Sequence, residues 1–238
     1  DNTPTGGPVR RSMKLNVILP FALITVMTIL FRWANLDLRI EHLFYTPETG
    51  WWLSDKWYVQ LLYQYGTWPA VAAAIAGLLM LGISRVYPPF RAFRRSVVYA
   101  VLVLIIGPGL IVNTVFKSHF GRPRPNQTVD FGGTQPFHAV LEPGESTQHR
   151  SFPSGHASMG FYWFCLFFIC RRHGGKLCSW FLLLALVHGG LMGFARMAQG
   201  AHFPSDILWS GAFVYFTALG LDALIGCSNA PQRVLPAT

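Results

Sequence analysis

Six apolar runs, at roughly 15–33, 62–83, 96–117, 156–171, 178–196 and 205–226, govern what this 238-residue chain can fold into. A helix needs about 20 mostly apolar residues to cross the hydrocarbon core of a bilayer. Inside that core each backbone N–H and C=O must find its partner within the segment, so runs of this length are expected to cross as helices. The expected fold is therefore all-α, a polytopic membrane helical bundle of six transmembrane helices. The fourth run is short, and Gly66 and Pro69 interrupt the start of the second. Composition agrees: only 12% of residues are charged, about half the share of a soluble domain. The net charge of +9 does not mark a nucleic-acid face. Its basic residues fall in short clusters between apolar runs, which is how membrane topology is written.

Those clusters orient the bundle. Lys14, then Arg85, Arg91, Arg94 and Arg95, then Arg171, Arg172 and Lys176, and last Arg233 share one side when six spans alternate. The positive-inside rule makes that side cytoplasmic. The opposite loops are 34–61, with Asp37, Glu41, Glu48 and Asp55 among Trp51, Trp52 and Trp57, then Lys117 to about Gly155, then a short turn at Gln199–Pro204. The tryptophans suit a membrane interface. The middle loop exceeds the length of about 12–15 residues beyond which a connection is usually functional or disordered.

Asp1–Ser12 is polar, contains Gly and Pro, and precedes Met13-Lys-Leu-Asn. It reads as a non-native leader, with residues 13–238 as a single membrane domain. Cys165, Cys170, Cys178 and Cys227 lie in or beside apolar runs, with no CxxC pair and no zinc-like spacing to His. They are expected to be small buried hydrophobes, with neither a disulfide nor a metal site.

The polar residues of the opposite face fall into three motifs. Lys117-Ser-His-Phe-Gly-Arg-Pro-Arg124-Pro125 ends the third run. A guanidinium fork binds two phosphate oxygens and Lys adds a compact charge. As an isolated segment it could equally be a basic collar for headgroups, but the positive-inside rule disfavours basic residues on this face. Ser151-Phe-Pro-Ser154-Gly155-His156 opens the fourth run. Ser154 is a good N-cap, free N–H groups at a helix start attract anions, and His156 can deliver a proton there. Arg196-Met-Ala-Gln-Gly-Ala-His202-Phe-Pro-Ser-Asp206 joins the last two runs. Its four-residue spacing lets the Asp206 carboxylate hold one nitrogen of His202 and leave the other as a nucleophile. Asp206 is costly beside hydrocarbon unless it is partnered, which favours a functional role.

Lys117 with six residues before Arg124-Pro125, then Pro153-Ser154-Gly155-His156, then Arg196 with five residues before His202 and three more before Asp206, resemble the tripartite signature of the type 2 phosphatidic acid phosphatase superfamily. Order and internal spacing both match, and six spans are similar to the family's membrane branch. Ala195 departs from the Ser that often precedes the third-motif Arg. Gly-Arg-Pro-Arg-Pro and Gln-Gly-Ala-His-Phe-Pro-Ser-Asp look most like bacterial lipid A phosphatases.

The resemblance implies a metal-independent lipid phosphatase with no cofactor. His202 would attack phosphorus, Asp206 would orient it, and His156 would protonate the departing oxygen. Lys117, Arg124, Ser154, Gly155 and Arg196 would hold the phosphate oxygens. The expected partners are a membrane lipid phosphate and the bilayer itself, with no nucleic acid and no obligate protein partner. The expected location is a bacterial inner membrane with the site facing the periplasm. Undecaprenyl diphosphate, phosphatidylglycerol phosphate and phosphatidic acid are alternative substrates, and a lipid phosphotransferase would use the same residues. A channel or transporter would spread its polar residues across the bilayer, whereas these gather at one face.

Overall fold

The computed structural model describes residues 8–144, 148–171 and 176–226. The fold is helical. Helix α1 (Pro8–Trp33) begins five residues ahead of Met13. A short α2 (Leu36–Glu41) and a two-residue antiparallel pair, β1 (Tyr45–Thr46) and β2 (Gly50–Trp51), lead to α3 (Trp57–Tyr65) and α4 (Trp68–Ile83). The α3–α4 break falls at Gly66-Thr67, just ahead of Pro69, whose ring suits only the first turn of a helix. After a 3₁₀ turn at Pro88–Phe93 come α5 (Arg94–Leu104), a π-helical stretch (Ile105–Phe116) and α6 (Lys117–His119). Pro108 cannot give an N–H to that stretch. Further along it, Asn113 Nδ2 and Thr114 Oγ1 donate to the carbonyls of Pro108 and Gly109, at 2.7 and 3.1 Å. The chain closes with α7 (Gly155–Phe161), α8 (Phe164–Cys170), α9 (Lys176–Ala198) and α10 (Pro204–Ile225).

Five segments are long and apolar enough to cross a membrane: Leu15–Trp33, Trp57–Ile83, Pro88–His119, Lys176–Ala198 and Pro204–Ile225. The fourth apolar run, Gly155–Cys170, is shorter. At 1.5 Å per residue it reaches about 24 Å, less than the core of a typical bilayer. The side chains facing outward from α1, α4 and α9 are large and apolar, including Phe21, Leu79 and Trp180, as a lipid-facing surface requires.

Helix α10 is the axis. Val214, Ala218 and Leu219 are buried against Tyr99 and Val103 of α5 and against Phe161, Phe164 and Phe168 of α7 and α8. Lipid tails are as apolar as Leu, so helices in a bilayer associate through close packing instead of through expulsion of water. Helices α7 and α9 show this directly: a Cβ on Gly160 would lie 2.7 Å from the Cα of Gly189. Cys165, Cys170 and Cys178 are free thiols, and Cys227 lies outside the described residues.

A polar layer caps the end of the bundle that carries the three motifs. Tyr45, Trp51 and Phe131 form an aromatic triangle with ring centroids 5.3–5.5 Å apart. Trp51 also presses on Gly200, where φ is +62° and a Cβ would sit 2.2 Å from the indole. The cap thereby holds the turn that separates Arg196 from His202.

Candidate active site

Helix α10 starts where the third motif needs it to. Phe203 is its N-cap and Pro204 its first residue. Asp206, at the third helical position, accepts the Phe203 N–H on Oδ2 at 2.9 Å, satisfying a donor that a helix start leaves free. One turn spans His202 to Asp206, and the ring Nδ1 lies 3.7 Å from Oδ2. That is an ion-pair distance, longer than a hydrogen bond. Such contacts often tighten when substrate arrives. Within the described structure Nδ1 has no hydrogen-bond partner.

His202 is 1% exposed. Burial pushes its pKa down to about 3; the contact with Asp206 opposes this, while Lys117 and Arg196 add to it. At neutral pH the imidazole is uncharged, the form in which a ring nitrogen can attack phosphorus.

Asp206 is more heavily engaged than its spacing to His202 suggests. Arg122 Nη1 donates to Oδ1 at 2.5 Å and Ser151 Oγ to Oδ2 at 2.6 Å. Arg122 is the first arginine of the Gly-Arg-Pro-Arg-Pro run and is wholly buried. Its Nη2 donates to Asp37 Oδ2 at 2.7 Å, its Nη1 also to Ser205 Oγ at 2.9 Å, and its Nε to the His138 carbonyl at 3.0 Å. The guanidinium stacks 4.5 Å from the Phe203 ring. Burial alone would lower its pKa, yet Asp206 and Asp37 hold it above its ordinary value. Glu41, one turn from Asp37 on α2, is buried, and neither carboxyl oxygen has a hydrogen-bond partner among the described residues. Burial, then Asp37 and Asp206, raise its pKa well above the ordinary value against the opposing pull of Arg122, which favours the protonated form.

The charges of the remaining motifs reach His202 and His156. Arg196, near the end of α9, and Lys117 both act electrostatically on His202, and Lys117, Arg124 and Arg196 all act on His156. Arg196 Nη1 donates to Gln199 Oε1 at 2.5 Å, while its buried Nε has no hydrogen-bond partner among the described residues. Arg150 adds its charge near Lys117. Ser154 is fully buried; its Oγ accepts from the Ala157 N–H at 3.4 Å as an N-cap, and its carbonyl accepts from Ser210 Oγ at 2.9 Å. The missing Cβ of Gly155 makes room for Asn113, whose Oδ1 it would approach to 2.4 Å. Tyr63 of α3 links two motif residues. Its ring stacks on His156 with centroids 5.1 Å apart, and the Arg196 guanidinium lies 4.6 Å from its centre.

The eight site residues expected from the sequence thus lie at one end of the bundle. Asp37, Glu41, Tyr63, Arg122, Ser151, Gln199 and Ser205 carry structural links to them that the sequence reading did not assign. Only Arg122 left a signal: a second Arg two residues before Arg124, on a face where basic residues are disfavoured. Among the described residues no cluster of three or more His, Cys, Asp or Glu could hold a metal.

The PAP2 superfamily model matches residues 96–225, and the chain belongs to that superfamily; it is a phosphomonoester hydrolase embedded among apolar helices. Its relatives are more specific. It is 32% identical over 194 residues, covering 80% of this chain and 86% of the relative, to a lipid A 4'-phosphatase of Francisella tularensis subsp. novicida. A lipid A 4'-phosphatase of Rhizobium leguminosarum is 36% identical over 120 residues, covering 49% of this chain and 50% of that protein. No solved structure matches.

Proposed function

We propose that the protein hydrolyses a phosphate monoester of lipid A at the periplasmic face of a bacterial inner membrane, through a phosphohistidine on His202. The observation that carries this reading is a buried, neutral His202, flanked by the Asp206 carboxylate and by the charges of Lys117 and Arg196. A neutral nucleophile facing cations is what a phosphate dianion requires. The 4'-phosphate is the expected target, from the lipid A 4'-phosphatase activity for which the relatives are named, and the arginine and lysine clusters at the other ends of the spans support the periplasmic side.

In the first step the free nitrogen of His202 bonds to phosphorus and the P–O bond to the sugar breaks, with His156 giving its proton to the departing oxygen. Asp206 stabilises the positive ring that forms. In the second step His156 takes a proton from water, whose oxygen attacks phosphorus as the P–N bond breaks. Lys117, Arg124, Arg196, Ser154 and the Gly155 N–H are assigned to the phosphate oxygens, where charge spreads in the transition state. No step draws on a metal or cofactor. Ser154 Oγ, already a cap, would have to share its hydroxyl.

Phosphate release by purified protein is to be measured with lipid A, phosphatidylglycerol phosphate, an isoprenoid diphosphate and phosphatidic acid. Lipid A is expected to turn over fastest, and His202→Ala to release none while still folded. Turnover by folded His202→Ala would refute the nucleophile, and a clear preference for another lipid would refute the substrate.

A further inference from the structure

Asp206 has a problem that its own contacts create. Arg122 Nη1 sits 2.5 Å from Oδ1, and a guanidinium that close offsets much of the negative charge a phosphorylated imidazole would need opposite it. Asp37 meets the far edge of the same guanidinium, Oδ2 to Nη2 at 2.7 Å. It is fixed there by the Ser205 N–H at 2.9 Å and the Ser205 hydroxyl at 2.6 Å. Arg122, Asp37 and Asp206 are 0%, 1% and 0% exposed, so water does little to screen them. Two carboxylates and one guanidinium sum to one negative charge, and burial with Asp37 and Asp206 raises the pKa of Glu41 beside them. Without Asp37 the sum would be zero.

We infer that Asp37, on α2 and outside the segment matched to the family, is a positioning residue that draws Arg122's charge away from Asp206, so that the cluster presents one net negative charge to His202. The inference rests on His202 as the nucleophile. Asp37 touches neither substrate nor the reacting atoms. Its effect should therefore appear in the rate of phosphoryl transfer and not in the grip on phosphate, which belongs to Lys117, Arg124 and Arg196. Ser205 separates charge from mere support: its hydroxyl bonds both Asp37 and Arg122, and removing it leaves the charge sum unchanged.

The test uses the full chain in detergent with ³²P-labelled 4-nitrophenyl phosphate, a probe that does not depend on which lipid is the substrate. Rapid quenching gives the rate of acid-labile phosphoenzyme formation, while steady-state assays give KM and inhibition by inorganic phosphate. Asp37→Asn is expected to slow phosphoenzyme formation on the order of tenfold or more, as expected for one unit charge in a poorly screened site. Its KM and phosphate inhibition should stay within about twofold, and Ser205→Ala should keep the formation rate within about threefold while lowering Tm. If Asp37→Asn is not recovered folded, Asp37→Ser, which keeps an oxygen near Ser205, replaces it with the same expectation. Equal formation rates in wild type and the Asp37 variant would overturn the inference alone. So would rate losses in the Asp37 and Ser205 variants that simply track their losses of Tm. A wild-type protein that hydrolyses the ester yet forms no phosphoenzyme would overturn the His202 reading and this inference with it.

Discussion

Two arginines two residues apart should fail in opposite ways when replaced by Leu. Arg122 is fully buried between Asp206 and Asp37. Arg122→Leu would leave both carboxylates buried without their counter-charge. Breaking a buried pair in this way costs about 3–5 kcal/mol, a large part of a total stability of about 5–15 kcal/mol. For a chain of 238 residues, about 2–4 °C of Tm per kcal/mol gives a fall of about 6–20 °C. Arg124 is only part-buried, and no carboxylate pairs with it among the described residues. Arg124→Leu should therefore leave Tm within about 2 °C, as for a substitution away from any buried network, while kcat/KM falls about 10²- to 10³-fold through loss of a phosphate donor. Size-exclusion chromatography of detergent-solubilised protein across a temperature series gives Tm, and phosphate release gives kcat/KM. Equal Tm for Arg122→Leu and wild type, or equal destabilisation by both substitutions, would refute the division of labour between the two arginines.

Tyr63 packs on both His156 and Arg196, so Tyr63→Phe should be tolerated, whereas Tyr63→Leu should slow hydrolysis of an alkyl phosphate more than that of 4-nitrophenyl phosphate, whose leaving group needs no proton. Equal losses on both esters would mean that Tyr63 does not act through His156. Folding raises the pKa of Glu41 above its ordinary 4.5, so its stabilising contribution is complete below that value and is lost as pH rises through the raised one. Glu41→Gln should then match wild type in Tm near pH 4 and exceed it near pH 8. His202 works in the opposite sense: with its pKa depressed to about 3 from an ordinary 6.5, the unfolded chain binds the proton first, and stability falls as pH drops from about 6.5 towards 3. His202→Gln should flatten that limb of the Tm profile, and an unchanged limb would place its origin elsewhere.

Much of this protein was legible in its sequence because the relevant physics is local. Apolar runs long enough to cross a bilayer dictate helices wherever backbone groups cannot reach water, and five segments of the structure meet that condition. The break ahead of Pro69 and the short fourth run could be read for the same reason, since a ring that excludes an N–H and a count of residues are properties of the segment alone. The His202–Asp206 relation follows from the pitch of one helical turn begun at Phe203-Pro204. Tertiary structure decided the rest. Nothing in the Leu36-Asp37-Leu38-Arg39 neighbourhood distinguishes Asp37 from Glu41, Glu48 and Asp55, the other acids of its loop; it becomes a buried ion-pair partner only because α2 packs against the start of α10, bringing it to Ser205. Arg122 and Arg124 are equivalent as sequence, and folding buries one between two carboxylates while leaving the other beside Lys117 and His156. Partners far apart in the chain leave no periodicity to read, because their pairing is set by how helices pack and by the cost of leaving a buried charge uncompensated.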